Sequence, residues 1–151
     1  MKQIFKNLCT AIFMLAALSC SAQQASSKKL SLFNKYPAAI NCTEDQLNNL
    51  FSVDLQKEVS IKLPGNLLLE GPVVIKQNKN SKLQTVSIKL PAFNNILFSV
   101  TKRNDEKNNP VFTGYLFSND FADGYRLIRK PDQTYQLIKI EMEKLLPTCN
   151  H

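Results

Sequence analysis

The chain has 151 residues, with 19 basic against 12 acidic side chains, a formal net charge of +7, one His and four Cys. That length fits one domain able to bury a core unaided, and a lone His151 leaves no imidazole pair for a metal site. Moderate basicity draws a protein weakly toward anionic surfaces and is not by itself a nucleic-acid signal.

The chain opens Met1-Lys2-Gln3-Ile4-Phe5-Lys6, continues through the apolar run Leu8–Leu18, and then turns to small residues. A basic start, a short apolar core and a small-residue cleavage region are the parts of a secretory signal peptide, here residues 1–22. The apolar run is 11 residues long, whereas crossing a bilayer takes about 20. The ending Ser21-Ala22-Gln23 is similar to the leaders of many bacterial envelope proteins. Ala17-Leu18-Ser19-Cys20 resembles a bacterial lipobox, in which the Cys is lipidated and becomes the first residue. Ala17 stands where lipoboxes usually carry Leu. Both cleavage modes stay open, with Cys20 as the lipidation candidate. The expected address is the bacterial periplasm, the outer membrane as a lipoprotein, or the exterior. Removing residues 1–22 takes Lys2 and Lys6 away and leaves a net charge of +5 on 129 residues.

Cys9 and Cys20 belong to the leader region, so the body carries Cys42 and Cys149. In an oxidising compartment such an isolated pair reads as a disulfide. The two stand 107 positions apart, and closing a loop of that size is worth about 4 to 5 kcal/mol in the chain-entropy model.

Residues 23–35 begin polar and small and read as a flexible tether, with Leu30, Leu32 and Phe33 docking at its far end. A single β-rich domain is expected over 36–151. Thr43-Glu44-Asp45-Gln46 is a capping-box pattern, and Leu47, Leu50 and Phe51 form an apolar stripe at i, i+3 and i+4. A short helix is therefore predicted from about Thr43 to Phe51. Val59–Leu63 alternates, and Pro64-Gly65-Asn66 is a turn. Leu67 to Gln77 is extended, with Gly71-Pro72 marking a bulge or a sheet edge. Leu83–Leu90 places Val86, Ile88 and Leu90 on one face. Ile96–Lys102 presents Ile96, Phe98 and Val100 inward, and Arg103 to Pro110 is a polar loop. Val111 to Met142 reads as three strands joined by Asn119–Gly124 and by Pro131-Asp132-Gln133. A further turn of helix is expected near Glu143–Leu146. The fold class is all-β, a small antiparallel barrel or sandwich of about seven strands with one short N-terminal helix.

Chemistry-bearing patterns are sparse. Asn119-Asp120-Phe121-Ala122-Asp123-Gly124 does not match a calcium loop and reads as a turn with Gly124 at positive φ. Arg126, Arg129 and Lys130 near Tyr125 and Tyr135 suggest a basic-aromatic surface, but Arg126 and Arg129 point to opposite faces of one strand. No nucleophile elbow, His pair or phosphate loop is present, and Glu141 and Glu143 share a face only if the chain is a strand there. No catalytic, cofactor-binding or metal-binding residue is assigned, and no cofactor is expected. The expectation is a monomeric, exported, non-catalytic binding module with an envelope or extracellular partner and no nucleic acid. It would touch a membrane only through an anchor at Cys20. The partner classes are another protein (a peptidase it inhibits included), a cell-surface polymer, or a small apolar ligand. The alternative is a small secreted enzyme with a carboxylate-based site.

Overall fold

The computed structural model describes residues 29–80 and 83–145 of the chain. Cys9, Cys20, Cys149 and the whole of the leader lie outside the described residues. The described chain builds one antiparallel sheet from eight strands. These are β1 (Ala39–Cys42), β2 (Glu58–Leu63), β3 (Leu67–Asn80), β4 (Leu83–Leu90), β5 (Ile96–Asn104), β6 (Pro110–Leu116), β7 (Asp123–Arg129) and β8 (Tyr135–Glu141). Helix α1 (Glu44–Ser52) follows β1, and a single helical turn, α2 (Met142–Leu145), follows β8. The spatial order is β1-β8-β7-β6-β5-β4-β3-β2. Consecutive strands from β2 to β8 are thus neighbours, and β1 returns to lie beside β8. The sheet curls into a half-barrel.

Period-two patterning sets which side faces in, because successive side chains in a strand leave on opposite faces. Val86, Ile88 and Leu90 of β4, Ile96, Phe98 and Val100 of β5, and Phe112 and Leu116 of β6 are all buried in one core. Tyr125, Leu127, Tyr135 and Leu137 extend that core across β7 and β8. Burying a large apolar side chain contributes roughly 1.5 to 3 kcal/mol, so this continuous inner face is the main source of stability.

The curl is produced in β3. Its first half, through Pro72, pairs with β2, while the second half, from Val73, pairs with β4, with a register shift between Val73 and Ile75. Pro72 has no N–H to give a ladder and sits at that handover. A Cβ added to Gly71 would lie 1.9 Å from the Lys89 carbonyl oxygen. Only glycine lets the two backbones approach this closely. The irregularity expected as a bulge or sheet edge at Gly71-Pro72 falls just beyond, between Val73 and Ile75, while Gly71 and Pro72 stay in register with β2.

The tip of the β2–β3 hairpin then reaches β1. Gly65 turns there at φ +74°, and a Cβ on it would stand 2.5 Å from Cγ of Pro37. The Gln46 side chain bonds the Lys62 carbonyl across the same gap at 3.1 Å.

The eighth strand is the difference from the sequence reading. Residues 39–42 carry only Ile40 and Cys42 as buried positions, too few to show alternation, and their partner, Tyr135–Ile138, lies far along the chain. Because β1 comes first, α1 is not the N-terminal element. Its boundaries otherwise agree. Thr43 caps Gln46 N–H at 3.2 Å, and the Gln46 side chain returns a bond to Thr43 N–H at 2.9 Å. Gly124 is a second correction. It lies inside β7 without positive φ and is small because Phe117 Cβ would stand 2.5 Å from an added Cβ.

Candidate functional site

Each end of the half-barrel is covered differently. One end carries the edge of Asp123, Glu141, Leu116, Ile96 and Leu90, and is crossed by residues 30–38; we call it the strap end. Within the stretch read as a tether, Phe33 and the half-buried Leu32 are docked as expected, whereas the Leu30 side chain is exposed and only its carbonyl is held, by Ala122 N–H at 2.9 Å. Phe33 is wholly buried and its ring lies 5.2 Å from Tyr125 and 5.3 Å from Phe93. The buried Asp123 carboxylate accepts from Ser31 Oγ, from Leu32 N–H at 2.7 Å and from Phe33 N–H at 3.0 Å. The inward-facing Lys139 donates to the Phe33 and Tyr36 carbonyls, both at 2.7 Å. Tyr125 donates to the Pro37 carbonyl at 2.6 Å. Burial, with the Asp123 charge nearby, pushes that phenol up to about 12. Asp123, read as a turn residue, is therefore the strap's anchor. Its partners lie some 90 positions upstream, a distance at which no local pattern exists.

The opposite end, the loop end, is crossed by α1. Leu47 and Leu50 enter the core, and Phe51 packs 5.9 Å from Phe112. Lys102, on the inner side of β5, donates to Asn48 Oδ1 at 2.9 Å. Around α1 stand two loops that hold their own shape. In the β5–β6 loop, the Asp105 carboxylate accepts from Lys107 N–H at 2.9 Å and Asn109 N–H at 2.8 Å. The Asp105 backbone exchanges two more bonds with Asn108 and Asn109. In the β7–β8 turn, Asp132 accepts from Thr134 N–H at 3.0 Å and from its hydroxyl at 2.6 Å. Lys130 and Gln133 close that turn through the backbone. Arg129, on the inner parity of β7, ties the loops together. Its Nη2 bonds Gln133 Oε1 at 2.8 Å, and Nη1 stands 4.0 Å from Asp105. Among the described residues its buried Nε has no partner.

Two adjoining clefts flank these loops and share Gln133. One, of about 640 Å³, lies between the β1–α1 corner and the β7–β8 turn, bordered by Thr43, Glu44, Lys130 and Tyr135. The other, of about 560 Å³, lies between the two loops, bordered by Arg103, Lys107 and Arg129. Both Asp carboxyls are held below the usual carboxylate range, Asp105 chiefly by Asn109 N–H and Asp132 chiefly by the Thr134 hydroxyl. Acids held this way are ionised structural acceptors, whereas a general acid near neutral pH needs a raised value.

The sequence-derived candidates fall as follows. Tyr125 and Tyr135 are core residues, so the basic-aromatic surface built on them does not form. Arg126 faces outward and Arg129 inward, as their spacing requires. Glu141 ends β8 and pairs with Lys144 at 2.9 Å; the chain is helical from Met142, so Glu141 and Glu143 share no strand face. Cys42 is buried within the core cluster and has no disulfide partner among the described residues; as a thiol it is pushed up to about 11 by burial. Among the described residues no group of three metal-ligating side chains gathers, and no helix is long and apolar enough to cross a membrane. Comparison with family models, curated proteins and solved structures finds no match for this chain.

Proposed function

We propose that the protein is an exported, non-catalytic binding module that meets a protein partner at the loop end. The observation that carries this reading is the pair of self-bonded loops joined through Arg129 and Gln133. A surface ordered before binding loses little conformational entropy on association, which favours recognition by rigid loops. The side-chain-filled inner face of the half-barrel gives less support to a carrier of small apolar ligands. A peptidase inhibitor is the same reading with a peptidase as the partner, and a rigid exposed turn is what such a contact uses.

Export rests on the leader pattern of residues 1–22, and anchoring on the lipobox-like segment ending at Cys20. The bridge between Cys42 and Cys149 belongs to this reading too. Its geometry is demanding: β8 starts opposite Cys42 at Tyr135 and ends at Glu141, about 20 Å away at roughly 3.3 Å per residue. The segment after β8 must return over that length.

Affinity capture from a detergent extract of the native envelope tests the function. The wild-type chain should retain a partner protein that the double variant Asp105→Ala/Asp132→Ala does not. A partner retained equally by both would remove the loops from the interface.

A further inference from the structure

The outer side of the sheet carries a charge pattern unlike the rest of the molecule. The chain has 12 acidic residues, yet the outward positions of β4 through β8 hold none. They lie instead on α1 and α2, in β2, in the first half of β3, in the loops, and at the strap-end limits of β7 and β8. The same outer positions hold three exposed cations, Lys89, Arg103 and Arg126. Register places Ser99, Tyr115 and Arg126 in one transverse row, and Thr101 and Thr113 in the next.

This face is a platform with donors built into it. Tyr115 is 44 % exposed, and the Arg126 guanidinium lies 5.8 Å over its ring. Stacking of this kind holds a guanidinium flat while leaving its N–H fork free for a carboxylate, sulfate or phosphate. Beside it the half-buried Thr85 and Thr101 hydroxyls pair across neighbouring strands at 3.1 Å and Thr113 is exposed, while Ser87, bonded to Ser99 at 2.8 Å, is itself buried. Each hydroxyl keeps further donor or acceptor capacity.

We propose that this outer face binds an anionic polysaccharide. Charge complementarity selects an anion, since three cations stand on a face without a carboxylate. The threonine row selects a polyol over a bilayer, because the donor and acceptor capacity these hydroxyls keep beyond their mutual bonds would go unmet in an apolar layer at a desolvation cost. An extended sugar polymer offers hydroxyls at intervals that such a row can meet, and negative groups for Arg126, Arg103 and Lys89. Arg103 also borders a loop-end cleft, whereas Arg126, Tyr115 and Lys89 border neither loop-end cleft, so a test made at Arg126 is independent of the protein partner proposed above.

The test is affinity electrophoresis of the purified protein in native gels containing polygalacturonate or neutral dextran. Sedimentation with phosphatidylglycerol-containing vesicles runs beside it. The expected result is retardation by polygalacturonate alone, weakened about five- to tenfold by Arg126→Glu, as loss and reversal of one exposed charge contact implies. Lys57→Glu, which makes the same change in net charge off this face, should retain wild-type retardation. Far-UV circular dichroism of each variant checks that it is folded, and Arg126→Gln supplies a neutral replacement that should fall between wild type and Arg126→Glu. Equal loss in Lys57→Glu would reduce the effect to net charge and overturn the proposal. So would the absence of retardation by polygalacturonate, or binding to vesicles alone. Protein capture through the loop end should be unchanged in Arg126→Glu.

Discussion

At the strap end, a buried carboxylate, a lysine and an aromatic cluster hold a distant piece of the chain in place. At the loop end, the half-buried Asp105 and the exposed Asp132 chiefly hold their own loops, with Arg129 standing 4.0 Å from Asp105 between them. Both ends use Asp as a hydrogen-bond acceptor, but burial separates the consequences. Asp123 is buried and accepts from the Leu32 and Phe33 N–H groups, which have no other acceptor among the described residues, so it serves the fold. Asp105 and Asp132 lie in water-exposed loops, where their bonds fix shape and contribute little to global stability. The contrast separates a structural end from an end free to evolve a partner.

The largest effect should come from the strap end. Phe33→Ala removes a fully buried ring and should lower unfolding free energy by about 3 to 5 kcal/mol. Asp123→Ala strands two backbone N–H groups and should cost about 2 to 5 kcal/mol. Urea unfolding measures both. If either variant unfolds at the wild-type midpoint, the strap is not part of the fold.

A smaller effect belongs to the junction leading into the loop end. Thr43→Ala removes the helix cap and should cost about 1 kcal/mol, whereas Thr43→Asn should largely restore it. The bridge proposal is read beside these by peptide mapping without reductant. A linked Cys42–Cys149 peptide is expected. Two free thiols in the native, oxidised protein would end the bridge and leave Cys42 as a buried thiol near 11, almost inert to alkylation at pH 8 until unfolding.

The smallest effect on stability should come from the loops, where Asp132→Ala and Asp105→Ala should leave the unfolding midpoint nearly unchanged. Their order should depend on pH in a defined direction. Both carboxyls are held below their usual range. Each therefore contributes fully above the unfolded carboxylate value of about 4, and its contribution is lost as pH falls through the lower folded value. The Asn109 and Thr134 amide resonances should stay constant from neutral pH to about pH 4 and shift only below it. A shift between pH 6 and 8 would mean that something other than these carboxylates holds the loops.

Local features were legible in the sequence, and distant ones were not. The Thr43/Gln46 capping box, the inward rows of β4 and β5, and the bend at Gly71-Pro72 are written within a few residues of themselves. The same holds for the turn at Pro131-Asp132-Gln133 and the polar loop at Arg103–Pro110. What joins those two loops is Arg129, whose inward direction follows only once β7 is placed. β1 and the role of Asp123 depend on contacts between residues far apart in the chain, so four residues of weak alternation and an Asp before a Gly gave no local sign of either.

The account turns on the loop end being the partner surface, and site-specific cross-linking tests that most directly. A photoreactive amino acid at Gln133, between the two clefts, is compared with one at the exposed Lys35 on the strap, both in the native envelope. The account predicts one discrete cross-linked protein from position 133 that disappears in the Asp105→Ala/Asp132→Ala background, and none from position 35. A cross-link from position 35 alone, or one from position 133 that survives loss of both carboxylates, would contradict it.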